Sequence, residues 1–373
     1  MHKHLTLLHL VWFRGFKSFT FDGFKPITVI GGKNNAGKSS ILEAIYYLGN
    51  RATGLTPGKL LWNRGEKMRS RTLAPLFYGG ENSGEILIHG LFANKMARGV
   101  GLDCTYRTAG QFGLEDVNDE ESSDSDSDTR DINGEAPPTY VQQFYDTRGD
   151  KDLRRGAMMI VFTKDEYRFY PLDPQSDKNG YQKLEKLMDA DEWKCWFYQS
   201  QRRYNMVEAY KRIFEKGKEG NLLECLKSVD TRIQSISFDG DRLLVAINEK
   251  DSLRLPLGVM GDGMVKVADI LSLMVLCDEG GTICVDEIEN GLHYSVMHKF
   301  WSNIVQRAQE RNIQLIVTTH NLEMMQALTR NVVGVSEDFA YINLTRTSKD
   351  EVVANGYDYD EYEAHIKSGV ELR

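Results

Sequence analysis

The segment Gly32-Lys33-Asn34-Asn35-Ala36-Gly37-Lys38-Ser39 sets two glycines five residues apart and follows the second with a lysine and a hydroxyl. Those residue types at that spacing suit a phosphate chain. The glycines let the loop turn its N–H groups inward, the lysine neutralises anionic oxygens, and the serine hydroxyl can ligate Mg2+. Ser40 continues the stretch into a helix whose N-terminus also favours anions. Far downstream, Thr282-Ile283-Cys284-Val285-Asp286-Glu287 ends an apolar run in two acids. One carboxylate there can hold Mg2+ through water while the next polarises an attacking water. The following apolar run ends in Thr318-Thr319-His320, and an imidazole at that point can bond a terminal phosphate or the attacking water. Together these groups are suited to hydrolysing ATP with Mg2+.

For them to meet, the elements that carry them must lie side by side. Residues 26–32 (PITVIGG) read as a strand feeding the glycine loop. SSILEAIYYLGN then reads as a helix, with Ile41, Leu42, Ile45, Tyr46 and Leu48 along one side. TICVDE and IQLIVTTH read as buried strands separated by the helix LHYSVMHKFWSNIVQRAQERN, and this alternation predicts a parallel sheet in the last 120 residues. Acids at the C-terminal end of such a strand sit where open α/β sheets bind ligands. Upstream, LTLLHLVWF, FTF, GEILIHGLF, GLDCTYR and MMIVFTKDEYRFYPL read as strands, with antiparallel pairing expected among them. WKCWFYQSQRR reads as a strand ending in a polar turn. Residues 204–233 turn helical, with Gly217 and Gly220 expected to split the segment in two; ISFDGDRLLVAI and LRLPL follow as strands, and MVKVADILSLMVL as a helix.

The chain has 373 residues, 41% hydrophobic and 27% charged, which supports a large core and excludes fibrous and wholly disordered classes. No apolar run reaches the roughly 18 residues that a spanning helix needs, so no membrane association is expected. Five cysteines, with no C-x-x-C pair, argue against a disulfide framework or a zinc site and fit a reducing cytoplasm. The net charge of -8 is uneven: residues 115–135 hold ten acids and a single base, Arg130, leaving the remainder near neutral. That acidic tract, about 114–137, is expected to be a disordered loop, serving either as a tolerated insertion or as a DNA-mimicking or autoinhibitory segment.

The three chemical elements, in this order and this far apart, resemble the ATP-binding-cassette (ABC) type of ATPase. The opening Phe13-Arg14-Gly15-Phe16-Lys17-Ser18-Phe19, and Glu289-Asn290-Gly291-Leu292-His293 just after the acids, resemble the RecF, SMC and OLD (overcoming lysogenization defect) group. The closing NGYDYDEYEAHIKSGVELR resembles small stand-alone ATPases of the OLD family. The resemblance implies an α/β fold: an ABC-type P-loop ATPase head with a mixed sheet, an antiparallel β subdomain and a short helical arm. Its parts would be residues 1–202 and 236–373 as the two portions of the head, with 203–235 as the arm. It adds Lys17 to the ATP-binding residues.

The resemblance also implies a signature turn, here Gly261, Asp262 and Gly263 with Lys266 one turn on, which would face the terminal phosphate of a second copy's ATP; a plain helix-leading turn is the alternative. It implies a metal-side glutamine as well, Gln199, with Gln142 and Gln143 as rivals. The Toprim nuclease domain of full OLD proteins is not expected. Only 53 residues follow His320, and Asp358 and Asp360 read as solvated acids. The resulting expectation is a Mg2+-dependent ATPase switch with ATP-sandwiched heads. It would control a separately encoded effector, plausibly a Toprim-type nuclease in antiphage defence, and have no nuclease activity of its own. The alternative is a RecF-like ATPase that binds DNA through the basic residues of 51–71 and of the arm. A transporter subunit is disfavoured because the turn lacks the LSGGQ serine.

Overall fold

The computed structural model describes residues 3–50, 76, 85–103, 158–163, 167–171, 193–199, 206–247 and 254–368. The basic connection 51–72, the acidic tract 114–137, and Gln142 and Gln143 lie outside these residues. An antiparallel sheet is built from β1 (Leu5–Phe13), β2 (Phe16–Asp22), β4 (Glu85–Phe92), β5 (Ala97–Asp103), β6 (Met158–Thr163) and β7 (Tyr167–Pro171), in the order β2-β1-β4-β5-β6-β7. Its first strand alternates over Leu8 and Leu10, both buried, and loses that phase at its end, where Trp12 has φ +55° and is exposed while Phe13 is buried.

The second sheet contains β3 (Ile27–Gly32), β8 (Cys195–Gln199), β12 (Thr282–Asp286), β13 (Gln314–Thr318), β14 (Phe339–Arg346) and β15 (Val352–Tyr357). Its order is β15-β14-β3-β13-β12-β8, parallel throughout except for β15. The strands β12, β13 and β14 of the last 120 residues lie parallel as expected, β3 and β8 join them from far upstream, and the antiparallel edge strand β15 makes the sheet mixed, as the resemblance implied. β9 (Ser235–Phe238), β10 (Leu243–Ala246) and β11 (Leu255–Pro256) form a small separate sheet, and β11 is only two residues long before a 3-10 turn over Leu257–Met260.

Every residue of β3, β12 and β13 is buried, and the side-chain period of two sends neighbours to opposite faces. Ile30, Cys284 and Ile316 face α1 (Lys38–Gly49) and the antiparallel sheet. Val29, Ile283, Val285, Leu315 and Val317 face a helical layer. That layer comprises α2 (Met206–Glu215), α3 (Glu219–Val229), α4 (Asp262–Leu276), α5 (Tyr294–Glu310), α6 (Leu322–Val332) and α7 (Tyr359–Ser368). The helical pair α2–α3 breaks at Gly217, where φ is +63°, whereas Gly220 lies inside α3. The pair packs onto α4 through Ile213, Leu222 and Leu226, and Tyr210 Oη donates to Asp269 Oδ1 of α4 at 2.6 Å. Several of the pair's cations are matched locally, Lys211 with Glu215, Arg212 with Glu208 and Arg232 with Asp230. Asp358 and Asp360 are exposed; Asp358 caps α7, accepting the Glu361 N–H at 2.9 Å while Glu361 Oε2 accepts the Asp358 N–H.

The β1–β2 turn is fixed to α1 by a buried ion pair, with Arg14 Nε 2.9 Å from Glu43 Oε2. Removing one partner of such a pair strands a charge in the core. Glu43→Ala is expected to cost about 3–5 kcal/mol, read as a lowered urea midpoint with an unchanged slope.

Candidate active site

The glycine loop leaves β3 at Gly32 and enters α1 at Lys38. Gly37 caps the helix at φ +96° and no side chain bonds the first-turn N–H groups. A Cβ built at Gly37 would come within 2.6 Å of the Phe16 ring, so the hairpin beneath the loop requires glycine there. Asn35 also takes a positive φ of +64°, while Asn34 is exposed and Ala36 buried. Lys38 Nζ donates to the carbonyls of Gly32 at 2.7 Å and Lys33 at 2.9 Å, folding over its own loop. Burial lowers the Lys38 pKa, opposed by the fields of Asp286, Glu289 and Glu287. The loop lysine and the three downstream acids thus lie within one electrostatic neighbourhood, although Lys38 and Asp286 are far apart in the chain.

The acids are held by β13. Thr318 Oγ1 donates to Asp286 Oδ1 at 2.6 Å and accepts the Glu287 N–H at 2.8 Å. Glu287 itself adopts the left-handed region, φ +48°, and its Oε2 accepts from Asn290 Nδ2. Such a conformation is uncommon for a non-glycine residue and clusters at functional sites. His320 Nδ1 lies 2.7 Å from Glu289 Oε1, which also accepts the His320 N–H at 3.0 Å. An ionised carboxylate only accepts, so Nδ1 carries the proton and Nε2 is left at the half-exposed edge of the ring. Sequence reasoning noted Glu289 only as part of a resemblance. Its position two residues past Glu287, in the same turn, was the signal that a third acid could reach the site.

Gln199 ends β8 directly beside Asp286 on β12. It is buried, and its Oε1 has no hydrogen-bond partner. An orphaned carbonyl oxygen next to a buried carboxylate suits a hard cation. Among the described residues no cluster of three or more His, Cys, Asp or Glu could hold a metal unaided. Mg2+ keeps waters and takes few protein ligands beside phosphate; here those ligands would be Ser39, Asp286 and Gln199.

Two expected positions fall elsewhere. Lys17 is exposed on β2 with its ammonium 5.5 Å from the Trp12 ring centroid. Lys266 is corrected: rather than facing outward with Gly261, Asp262 and Gly263, it is 4% exposed and donates inward to the Glu287 carbonyl at 2.6 Å. Burial depresses its pKa to about 8, against the pull of Glu289, Glu287 and Asp286. Gly261 and Asp262 remain exposed at the start of α4, and Val259 beside them is 65% exposed.

Comparison with known proteins matches residues 27–325 to the AAA_21 family, described as "AAA domain, putative AbiEii toxin, Type IV TA system". An "ATP/GTP phosphatase" of Helicobacter pylori is 27% identical over 347 residues, covering 88% of each chain. Among solved structures, the SMC head with an extended coiled coil bound to the C-terminal domain of ScpA from Pyrococcus furiosus superposes with a TM-score of 0.53 at 10% identity. It covers 99% of this chain and 100% of that one. An SMC head bound to the C-winged helix domain of ScpA gives a TM-score of 0.50 at 13% identity, covering 97% and 99%. At such identities the likeness shows the fold, that of an ABC-type P-loop ATPase head. No helix among the described residues is long and apolar enough to cross a membrane.

Because Glu289 accepts both the backbone and the ring N–H of His320, Glu289→Ala would leave two donors without their acceptor. The expected cost is about 1–3 kcal/mol of unfolding free energy, measurable by urea denaturation of the nucleotide-free protein.

Proposed function

The chain belongs to the AAA_21 family, and from that premise we propose that it is a Mg2+-dependent ATP hydrolase working as a switch. The observation that carries this reading is the meeting of Lys38 with Asp286, Glu287, Glu289 and His320 at the C-terminal ends of β3, β12 and β13. In it, the loop N–H groups from Gly32 to Ser39, continued by Ser40, hold the phosphates, and Lys38 exchanges its loop carbonyls for phosphate oxygens. Ser39, Asp286 and Gln199 would hold Mg2+, which would supply charge neutralisation for the phosphates. Glu287 accepts the proton of the attacking water as the terminal phosphoanhydride breaks. His320, its tautomer set by Glu289, presents Nε2 as an acceptor to that water, or as a donor to the terminal phosphate when the ring is protonated.

The exposed turn at Gly261–Gly263 gives a second copy a helix N-terminus with which to complete the site, so nucleotide would hold two heads together. As an OLD-like ATPase, the protein would transmit its nucleotide state to a separately encoded effector, plausibly a Toprim-type nuclease acting in antiphage defence. The family's printed description, a toxin of a toxin–antitoxin system, supports a two-component arrangement. Residues 1–202 and 236–373 are the two halves of the head in this reading and 203–235 is its appendage. The RecF-like, DNA-binding alternative gains nothing from α2–α3, where Lys211, Arg212 and Arg232 already pair with nearby acids.

Lys38→Ala is expected to abolish binding of a fluorescent ATP analogue. Glu287→Gln is expected to bind it while turning over at least about 100-fold more slowly. Light scattering of Glu287→Gln should show the mass doubling on addition of Mg-ATP. Equal turnover of Glu287→Gln and wild type would remove the assignment of Glu287, and an unchanged mass would remove the sandwiched dimer.

A further inference from the structure

We infer that Lys266 is a positioning residue that holds the Glu287 turn from α4, so that the outward face of α4 and the hydrolytic carboxylate move as one piece. The inference rests on the reading of Glu287 given above and adds a means of regulating it. Four observations carry it. First, the Lys266 ammonium is buried and donates at 2.6 Å to the carbonyl of the residue that takes the strained conformation. Second, that peptide is clamped on both sides, because Thr318 Oγ1 accepts its N–H and the Asn290 N–H shares its carbonyl at 3.0 Å. Third, Gly263, two residues into α4, lies so close to the Glu287 turn that a Cβ there would be 2.4 Å from the Gly291 carbonyl. Fourth, Gly291 takes φ +77° to make room.

A push or pull on the exposed start of α4 therefore reaches the 287–291 turn by two routes, backbone contact at Gly263 and the ammonium at Lys266. Packing alone does not explain a lysine here. A buried ammonium costs free energy that a methionine of similar length would not. What the ammonium gains is a charge-assisted hydrogen bond to a carbonyl whose residue would otherwise relax out of the left-handed region. In the dimer proposed above, engagement of the turn by a second copy would tighten α4 onto Glu287, and disengagement would slacken it. Hydrolysis would thus be tied to docking without any residue of α4 touching the attacking water.

The test compares Lys266→Met and Lys266→Arg with wild type and Glu287→Gln. Lys266→Met is expected to lower kcat at least about tenfold with KM and nucleotide affinity within about threefold, the pattern of a lost transition-state contact. Its melting temperature should change little, because the relieved burial cost of the ammonium is offset by the loss of its field on Asp286, Glu287 and Glu289. Lys266→Arg, which keeps a donor, should recover most of kcat. Amide hydrogen exchange of residues 287–292 should quicken in Lys266→Met, while that of 38–49 stays the same. This readout needs no turnover, so it separates a failure of the inference from a failure of the ATPase reading. Wild-type kcat in Lys266→Met, or unchanged exchange at 287–292, would overturn the inference. So would joint loss of melting temperature and nucleotide affinity in Lys266→Met, the mark of a merely structural lysine. If Lys266→Met does not fold, Lys266→Gln takes its place under the same criteria.

Discussion

Asp286, Glu287 and Glu289 crowd three carboxylates into four residues at the mouth of a buried strand, where like charges repel more strongly than they would in water. The surrounding structure is arranged around that crowding. Two lysines from different helices, Lys38 at the start of α1 and Lys266 in α4, lie in the field of all three acids. Hydroxyl, amide and imidazole donors take up individual oxygens: Thr318 on Asp286, Asn290 on Glu287 and His320 on Glu289. Each acid thus has its own orienting donor while the net negative field stays open toward the glycine loop. In the reading proposed above, a site so poised would attract a divalent cation, and through the cation a phosphate chain that the acids alone would repel.

The strand order makes this possible. Adjacent strands β3, β13, β12 and β8 carry, at the same end, the glycine loop, Thr318 with His320, Asp286 with Glu287, and Gln199. Parallel strands need long crossovers, so neighbours in the sheet are remote in the chain. β13 lies between the loop strand and the acid strand, which is why its terminal Thr318 can bond both Asp286 and the Glu287 N–H. The antiparallel sheet contributes from below: Phe16 fills the space under Gly37, and Arg14 ties the β1–β2 turn to α1 through Glu43.

What could be read from the sequence follows from how local each signal is. The glycine loop, the acid pair and the Thr-Thr-His end each lie within eight residues, and their flanking apolar runs mark them as strand ends. The sheet they share was legible in kind but not in membership. β8 announces itself only by a short aromatic run, and β14, with its hairpin neighbour β15, joins the sheet only through β3 more than 300 residues away. The inward turn of Lys266 was hidden for a different reason. Helix periodicity separates inner from outer positions only when one face is polar, yet α4 is buried almost continuously from Lys266 to Leu276. A lysine one turn past an exposed glycine turn then reads as solvent-facing, and only the carbonyl of Glu287 shows otherwise. The role of Glu289 was similarly masked, since its partner His320 arrives from the neighbouring strand.

The same continuous burial gives α4 a distinctive design. Among its apolar side chains it buries Lys266, Asp269 and Ser272, and each has a partner: the Glu287 carbonyl, the Tyr210 hydroxyl of α2 and the Ala268 carbonyl of its own preceding turn. Apolar packing is non-directional, and a helix held by leucines and valines alone can slide or rotate with little change in buried area. Two hydrogen bonds, one from a charged donor at the catalytic end and one to a charged acceptor facing α2, remove that freedom, because any slip leaves a buried charge without a partner. The helix therefore has one preferred register relative both to the 287–291 turn and to the helical pair. A displacement imposed at α2–α3 or at the exposed start of α4 must either be transmitted along the helix or break one of those bonds. That constraint gives the chain a physical route between the exposed start of α4 and the Glu287 turn.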